Sequence, residues 1–288
     1  MRLWSKNIEK IFFNKYKDST LKRELFHETK SGEYVAYWPK TYIGAKKVLS
    51  SRNLLIRKYI QNWVCELLKH MFEEEHLYVI QQAQIPLIGI SHKSSADIVI
   101  ATKNKKILMP DEVKLIFELK MSIVWNWKYS PDLDEVVEIG DYRSHQGKPS
   151  FTCSNSILNT ISKFINIRVS NINASKIPFI VLGNTPLSNG FSKKADFLKT
   201  SGIIQGFWSL NPFPLNKGNT KKKSHKNGFI RMDNTDEFKM YLNQFFEQDL
   251  NFFSGMKNPE RLGQIIEMAN ECKTYKNKGL KFLNLLKM

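Results

Sequence analysis

Two apolar runs, ADIVIAT at 96–102 and VKLIFELKMS at 113–122, constrain the fold of this 288-residue chain more than any other stretch. Their β-branched content and length predict buried strands, and the basic connection KNKKILMPDE predicts that they pair antiparallel. Yet Asp97 opens the first run, and Glu118 and Lys120 lie inside the second. A hairpin register that sets Asp97 opposite Glu118 also pairs Thr102 with Val113 and leaves 103–112 as the loop. In that register the two carboxylates share one sheet face about 5 Å apart at Cβ. Lys120 shares that face, because strand side chains repeat every second residue.

The flanking sequence predicts a mixed α/β (α+β) domain. Apolar residues from Leu55 to Phe72 recur at three and four, which predicts a long amphipathic helix over 52–76. HLYVIQQAQIPLIGI reads as a strand and a turn, 124–150 as mostly loop, and SNSILNTISKFINIRVSN as a second helix. KIPFIVLGN and GIIQGFWSL read as two further strands. The run NKGNTKKKSHKNG reads as a solvated loop, and DEFKMYLNQFFEQDLNFF and PERLGQIIEMANECKTY as two helices. The expected organisation is an N-terminal extension over 1–50, a core over 51–215, a basic loop over 216–230 and a C-terminal helical lobe over 231–288. These segments are expected to form one compact domain.

Charge narrows the partners. The formal net charge is +17, from 44 basic against 27 acidic residues, and such a field attracts polyanions. A lysine-rich compositional bias accounts for the lysines but not for the shortage of acids. Cys65, Cys153 and Cys272 form no CxxC pair, and the six histidines show no zinc spacing. A phosphate-binding GxxxxGK[ST] loop and a GxSxG nucleophile motif are both missing. With no long apolar run and no signal-peptide pattern at the N-terminus, a cytoplasmic protein is expected.

Two adjacent carboxylates in a half-buried sheet repel unless a cation lies between them, and oxygen ligands suit Mg²⁺, with Mn²⁺ as a substitute. A neighbouring ammonium can stabilise a developing anion or orient a water, so the set suits phosphodiester hydrolysis. The plain alternative is that Glu118 and Lys120 are edge residues facing water and Asp97 caps a strand.

The pattern of Asp97 with Glu118-Leu119-Lys120 resembles the PD-(D/E)xK nuclease superfamily, and the order of elements over 52–210 is similar to its core. That resemblance implies a restriction-endonuclease-like fold, a mixed central sheet flanked by helices, here with helical additions at both ends. It also implies that Asp97 and Glu118 hold the metal, that the Leu119 carbonyl joins them, and that Lys120 serves the attacking water. Ala96 stands where the superfamily often has proline. Asp111, which does follow a proline, is roughly 23 Å along an extended strand from Glu118 and is set aside. Some members add a carboxylate from the preceding helix, and Glu66 is the choice here over Glu73.

Arg143, Gln146 and Lys148 are the candidates for base and backbone contact, and Lys221, Lys222, Lys223 and Lys226 for phosphate contact; for both groups a solvated loop is the alternative. The aromatics of MSIVWNWKYS read first as a hydrophobic anchor. The resemblance implies a type II restriction endonuclease: a homodimer that cuts double-stranded DNA sequence-specifically, with a separate cognate methyltransferase as its genetic partner. A structure-specific repair or recombination nuclease and a non-catalytic basic DNA-binding protein are the alternatives, and composition leaves an RNA substrate open.

Overall fold

The computed structural model describes residues 2–45, 47–72, 75–246 and 257–286. The chain opens with helices α1 (Lys6–Lys17) and α2 (Lys22–Leu25) and the short strands β1 (His27–Glu28) and β2 (Tyr34–Val35). Helix α3 (Ser50–Met71) leads into a meander of β3 (Tyr78–Ala83), β4 (Ala96–Ala101) and β5 (Val113–Lys120), followed by a hairpin of β6 (Asn126–Ser130) and β7 (Glu135–Gly140). Then come α4 (Ser154–Ser170), β8 (Phe179–Gly183), α5 (Asn189–Thr200), β9 (Gly206–Ser209) and β10 (Phe229–Arg231). Helices α6 (Thr235–Phe246), α7 (Pro259–Asn270) and α8 (Tyr275–Leu286) complete the described elements. None of the described helices is long and apolar enough to cross a membrane.

The main sheet has six strands in the order β10-β9-β8-β5-β4-β3, antiparallel through the meander and parallel from β5 to β10. Strand β5 is central, which is why its sequence is apolar on both faces. Alternate residues divide the core. Ile98, Phe117 and Leu182 face α3, α1 and α6, whereas Val99, Ile116 and Val181 face α4 and α5. Stacking of Phe164 on Phe179 at 4.6 Å seats α4, and an edge contact of Trp208 with Phe238 at 6.0 Å seats α6.

The hairpin register agrees with expectation where it matters. Ile98 pairs with Phe117 and Val99 with Ile116, so continuation sets Asp97 opposite Glu118. An irregularity after Ile100 absorbs one residue, so Val113 pairs with Ala101 rather than with Thr102. Helix α3 stops at Met71 instead of reaching His76, whose left-handed φ of 52° no α-helix accommodates.

The segment 124–150 is loop over most of its length but carries a hairpin that was not expected. Strands β6 and β7 join β1 and β2 in a second, four-stranded sheet of order β1-β2-β6-β7. These strands are short and one face of β7 is exposed, so their alternation is hard to see beside Pro131 and the acids around it. Two helices, α5 and α8, also went unpredicted, and the six-stranded sheet runs past 215 to include β10.

The N-terminal residues are core rather than extension: Trp4, Phe12 and Phe13 are fully buried. Glu9 on α1 is fully buried too, and its carboxylate accepts from Trp4 Nε1 (2.9 Å), Val124 N (2.7 Å), Trp125 N (3.1 Å) and Trp127 Nε1 (3.0 Å). This one side chain fastens α1 to the segment leaving β5, and it makes Trp125 and Trp127 a buried anchor. Burial pushes the Glu9 carboxyl up to about 7 against the pull of those four donors. Because the folded value lies above the ordinary 4.5, Glu9 stabilises most below pH 4.5, and that contribution is lost as pH rises through 7. Urea denaturation should therefore show the stability of the wild type, relative to Glu9→Gln, falling by about 3 kcal/mol between pH 4.5 and 8. A pH-independent difference would contradict it.

Candidate active site

Side chains of opposite charge converge where β4 begins and β5 ends. Asp97, Glu118 and Lys120 share the α4 face of the sheet, as Val99 and Ile116 do beside them. The Glu118 side chain is 8% exposed and binds two lysines: Lys120 Nζ donates to Oε1 at 2.8 Å, and Lys163 Nζ, from the third turn of α4, donates to Oε2 at 2.7 Å. Burial acts most strongly on Glu118 and acts upward, but the two ammonium groups together outweigh it and hold the carboxyl below its ordinary value.

Asp97 is placed differently. Its Oδ2 accepts the Leu119 N–H at 2.8 Å, its Oδ1 lies 3.5 Å from Arg57 Nη2, and its own carbonyl accepts from Gln61 Nε2 at 3.0 Å. Burial, and after it the charge of Glu118, raise its carboxyl above the ordinary value. The pair is therefore unequal: Glu118 is neutralised by lysines, and Asp97 carries the electrostatic strain.

The backbone contributes as well. The Ile116 N–H bonds to Pro178 beside β8, so alternation turns the N–H and C=O of Leu119 toward β4. The Leu119 N–H is taken by Asp97, and its carbonyl lies on that same side of the strand end. Opposite Asp97 on β3, Gln82 has a left-handed φ of 50°, a conformation that costs a non-glycine residue about 1 kcal/mol or more. Beyond Lys120, the side chain of Asn184 receives Ser122 N–H and donates to Ser122 O, which fixes the exit of β5.

Two cations and an amide from other elements were not predicted for this site. Lys163 was missed, although it sits on the stripe of α4 that holds Thr160, Phe164 and Ile167, and a lysine on an apolar stripe is a legible signal. Arg57 and Gln61, one turn apart on α3, reach Asp97 where Glu66 does not. Glu66 lies about 140° around the helix from Gln61, is exposed and pairs with Lys69 at 2.9 Å. Glu73 lies outside the described residues. Asp111 sits in the turn at the far end of β5. No group of three His, Cys, Asp or Glu side chains gathers among the described residues.

The other predicted contact residues are dispersed. Arg143 forks onto Asp141 and donates to Lys217 O at 2.9 Å, and the Gln146 amide donates to Tyr42 O at 2.6 Å, so both are engaged within the protein. Lys148 lines a cleft beside Asp97. Lys222 is paired with Asp233 and Glu237; Lys221, Lys223 and Lys226 are exposed on the loop before β10. That loop leads into a strand three places from β5, roughly 14 Å across the sheet.

No family model, curated protein or solved structure matches the chain.

An ionised Asp97 beside Glu118 strains the fold in the absence of a further cation. Since its folded value is raised, its contribution is present below the ordinary 3.8 and is lost as pH rises. Asp97→Asn, whose amide oxygen still accepts from Leu119, should be more stable than the wild type at pH 7, with the gain disappearing towards pH 3, in urea denaturation of chelator-treated protein. A variant less stable than wild type at pH 7 would refute this reading of the site.

Proposed function

We propose that the protein is a divalent-metal-dependent endonuclease that hydrolyses double-stranded DNA, of the sequence-specific type II restriction class. The observation that carries the reading is the convergence of Asp97, Glu118 and Lys120 at one end of adjacent strands. The order of elements supports it: α3, the β3–β5 meander, α4 and the parallel β8 follow the arrangement of the PD-(D/E)xK core. A chain of charge +17 supplies the attraction to a polyphosphate.

The donor set fits Mg²⁺, with Mn²⁺ as a substitute. Two carboxylates and the Leu119 carbonyl are hard oxygen donors, and Mg²⁺ is commonly held by one or two carboxylates with water and substrate phosphate. Burial first and the charge of Glu118 second raise the Asp97 carboxyl, and a bound cation would relieve both. When bound, such an ion would polarise the phosphate and acidify a water. The chain's own groups do the rest. Lys120 Nζ, 21% exposed, donates a hydrogen bond that orients the attacking water or stabilises charge on the phosphoryl oxygens, and Lys163, 23% exposed, does so from the opposite side of Glu118. Arg57 adds a cation at the α3 edge.

In this reading two chains act as a homodimer, setting two active sites against the two strands of a palindrome. The enzyme works in the cytoplasm, where a separate cognate methyltransferase protects the host's own sites.

Purified protein should convert unmethylated plasmid to discrete fragments with Mg²⁺ and not with chelator. Glu118→Ala and Lys120→Ala should each lose at least about 100-fold, and Lys163→Ala about tenfold. Smears or cuts confined to branched substrates would favour a structure-specific nuclease. Intact DNA under all conditions, with salt-sensitive binding kept by the variants, would leave a non-catalytic DNA-binding protein.

A further inference from the structure

On the α3 side of Asp97 lies a cleft of about 490 Å³. Its floor is Ile56, Ile60, Met121 and Ile123, and its walls carry Arg52, Arg57 and Lys148. A DNA duplex presents chiefly phosphates, sugars and groove edges, and its apolar groups there, a thymine methyl or a sugar C–H, are small beside a floor of four aliphatic side chains. The flat face of a base matches such a floor in extent, and a base shows that face only after leaving the stack. The volume falls at the lower end of the range of small-molecule pockets, which suits one nucleotide and not a base pair.

Arg52 points the same way. It is 5% exposed, its guanidinium lies over the Tyr37 ring at 4.8 Å, and it donates to Ala36 O. Its Nε finds no acceptor, and no carboxylate pairs with it among the described residues. A buried guanidinium without a counter-ion is costly unless an anion arrives, and the anion offered by a nucleotide is phosphate. Val48, 70% exposed, and Asn53, exposed on α3, line the mouth of the cleft, and the Asn53 amide can meet a base edge.

We infer that this cleft holds a single unstacked deoxynucleotide of the substrate, its base on the Ile56–Ile60–Met121–Ile123 floor and a phosphate on Arg52 and Lys148. The inference rests on the nuclease reading for the identity of its ligand. It makes the cleft, rather than the basic loop before β10, the place where the bound strand is inspected next to Asp97. The nucleotide could be extruded from a duplex or belong to an unpaired strand, and the chemistry of the cleft is the same for both.

Calorimetric titration with the four deoxynucleoside 5′-monophosphates tests it without any need for the recognition sequence. One saturable site per chain is expected, weakened at least tenfold by Asn53→Trp, an exposed helix substitution that blocks the mouth, and by Arg52→Gln. Melting curves establish that each variant is folded, and Lys148→Ala serves as the phosphate variant should Arg52→Gln not fold. No saturable binding, or binding unchanged in folded Asn53→Trp, would overturn the inference. Oligonucleotides with 2-aminopurine in place of each adenine then distinguish the sources: fluorescence that rises on binding duplex marks extrusion, and a response confined to single strands marks an unpaired substrate. No response from either would overturn the inference. Nucleotide binding by a protein that cuts no DNA would sink the nuclease reading and keep the cleft; cutting without nucleotide binding would do the reverse.

Discussion

Repulsion between Asp97 and Glu118 is the constraint around which this end of the molecule is arranged. Two carboxylates at the ends of neighbouring strands are brought together by a register that the apolar residues of β4 and β5 fix, since a slip of one residue would turn every core side chain outward. The fold answers with cations drawn from three elements: Lys120 from β5 itself, Lys163 from α4 and Arg57 from α3. Glu118 receives two of them and is settled. Asp97 receives only a distant guanidinium and one backbone N–H, so the residual strain is concentrated on a single group at the edge of a cleft.

The surrounding architecture holds that edge rigid. Glu9 gathers three N–H donors from the segment just past β5 and a fourth from Trp4, Asn184 clamps Ser122, and α1 is thereby tied to the strand that carries Glu118 and Lys120. A buried carboxylate with no cation beside it is an expensive fastening, tolerable because each lone pair is met by a donor. The second sheet, built from β1, β2, β6 and β7, packs its aromatic face on the same cluster as α3, and Tyr37, just past β2, lines the cleft.

What could be read from sequence was what is local. Asp97, Glu118, Lys120 and the register that unites them follow from strand periodicity within one 28-residue stretch, and α3 and α4 follow from helical spacing. Lys163, Arg57 and Gln61 required knowing which face of each helix meets the sheet end, which no local pattern encodes. The hairpin of β6 and β7 was hidden because its strands are short and half-exposed. Arg143 and Gln146 looked available because a turn that folds Arg143 back onto Asp141, two residues before it, and the distant carbonyls of Lys217 and Tyr42 are set by loop packing rather than by a sequence pattern. Glu66 was a guess about helix phase, and α3 turns it to solvent beside Lys69.

The central claim is that Asp97 and Glu118 together receive one divalent cation. Counting Mn²⁺ bound per chain by electron paramagnetic resonance of the free ion, in wild type, Asp97→Asn and Glu118→Gln, tests it most directly. The account predicts one site in the wild type, weakened at least tenfold by either substitution. Mn²⁺ binding that is absent from the wild type in the presence of DNA, or that survives both substitutions, would contradict it.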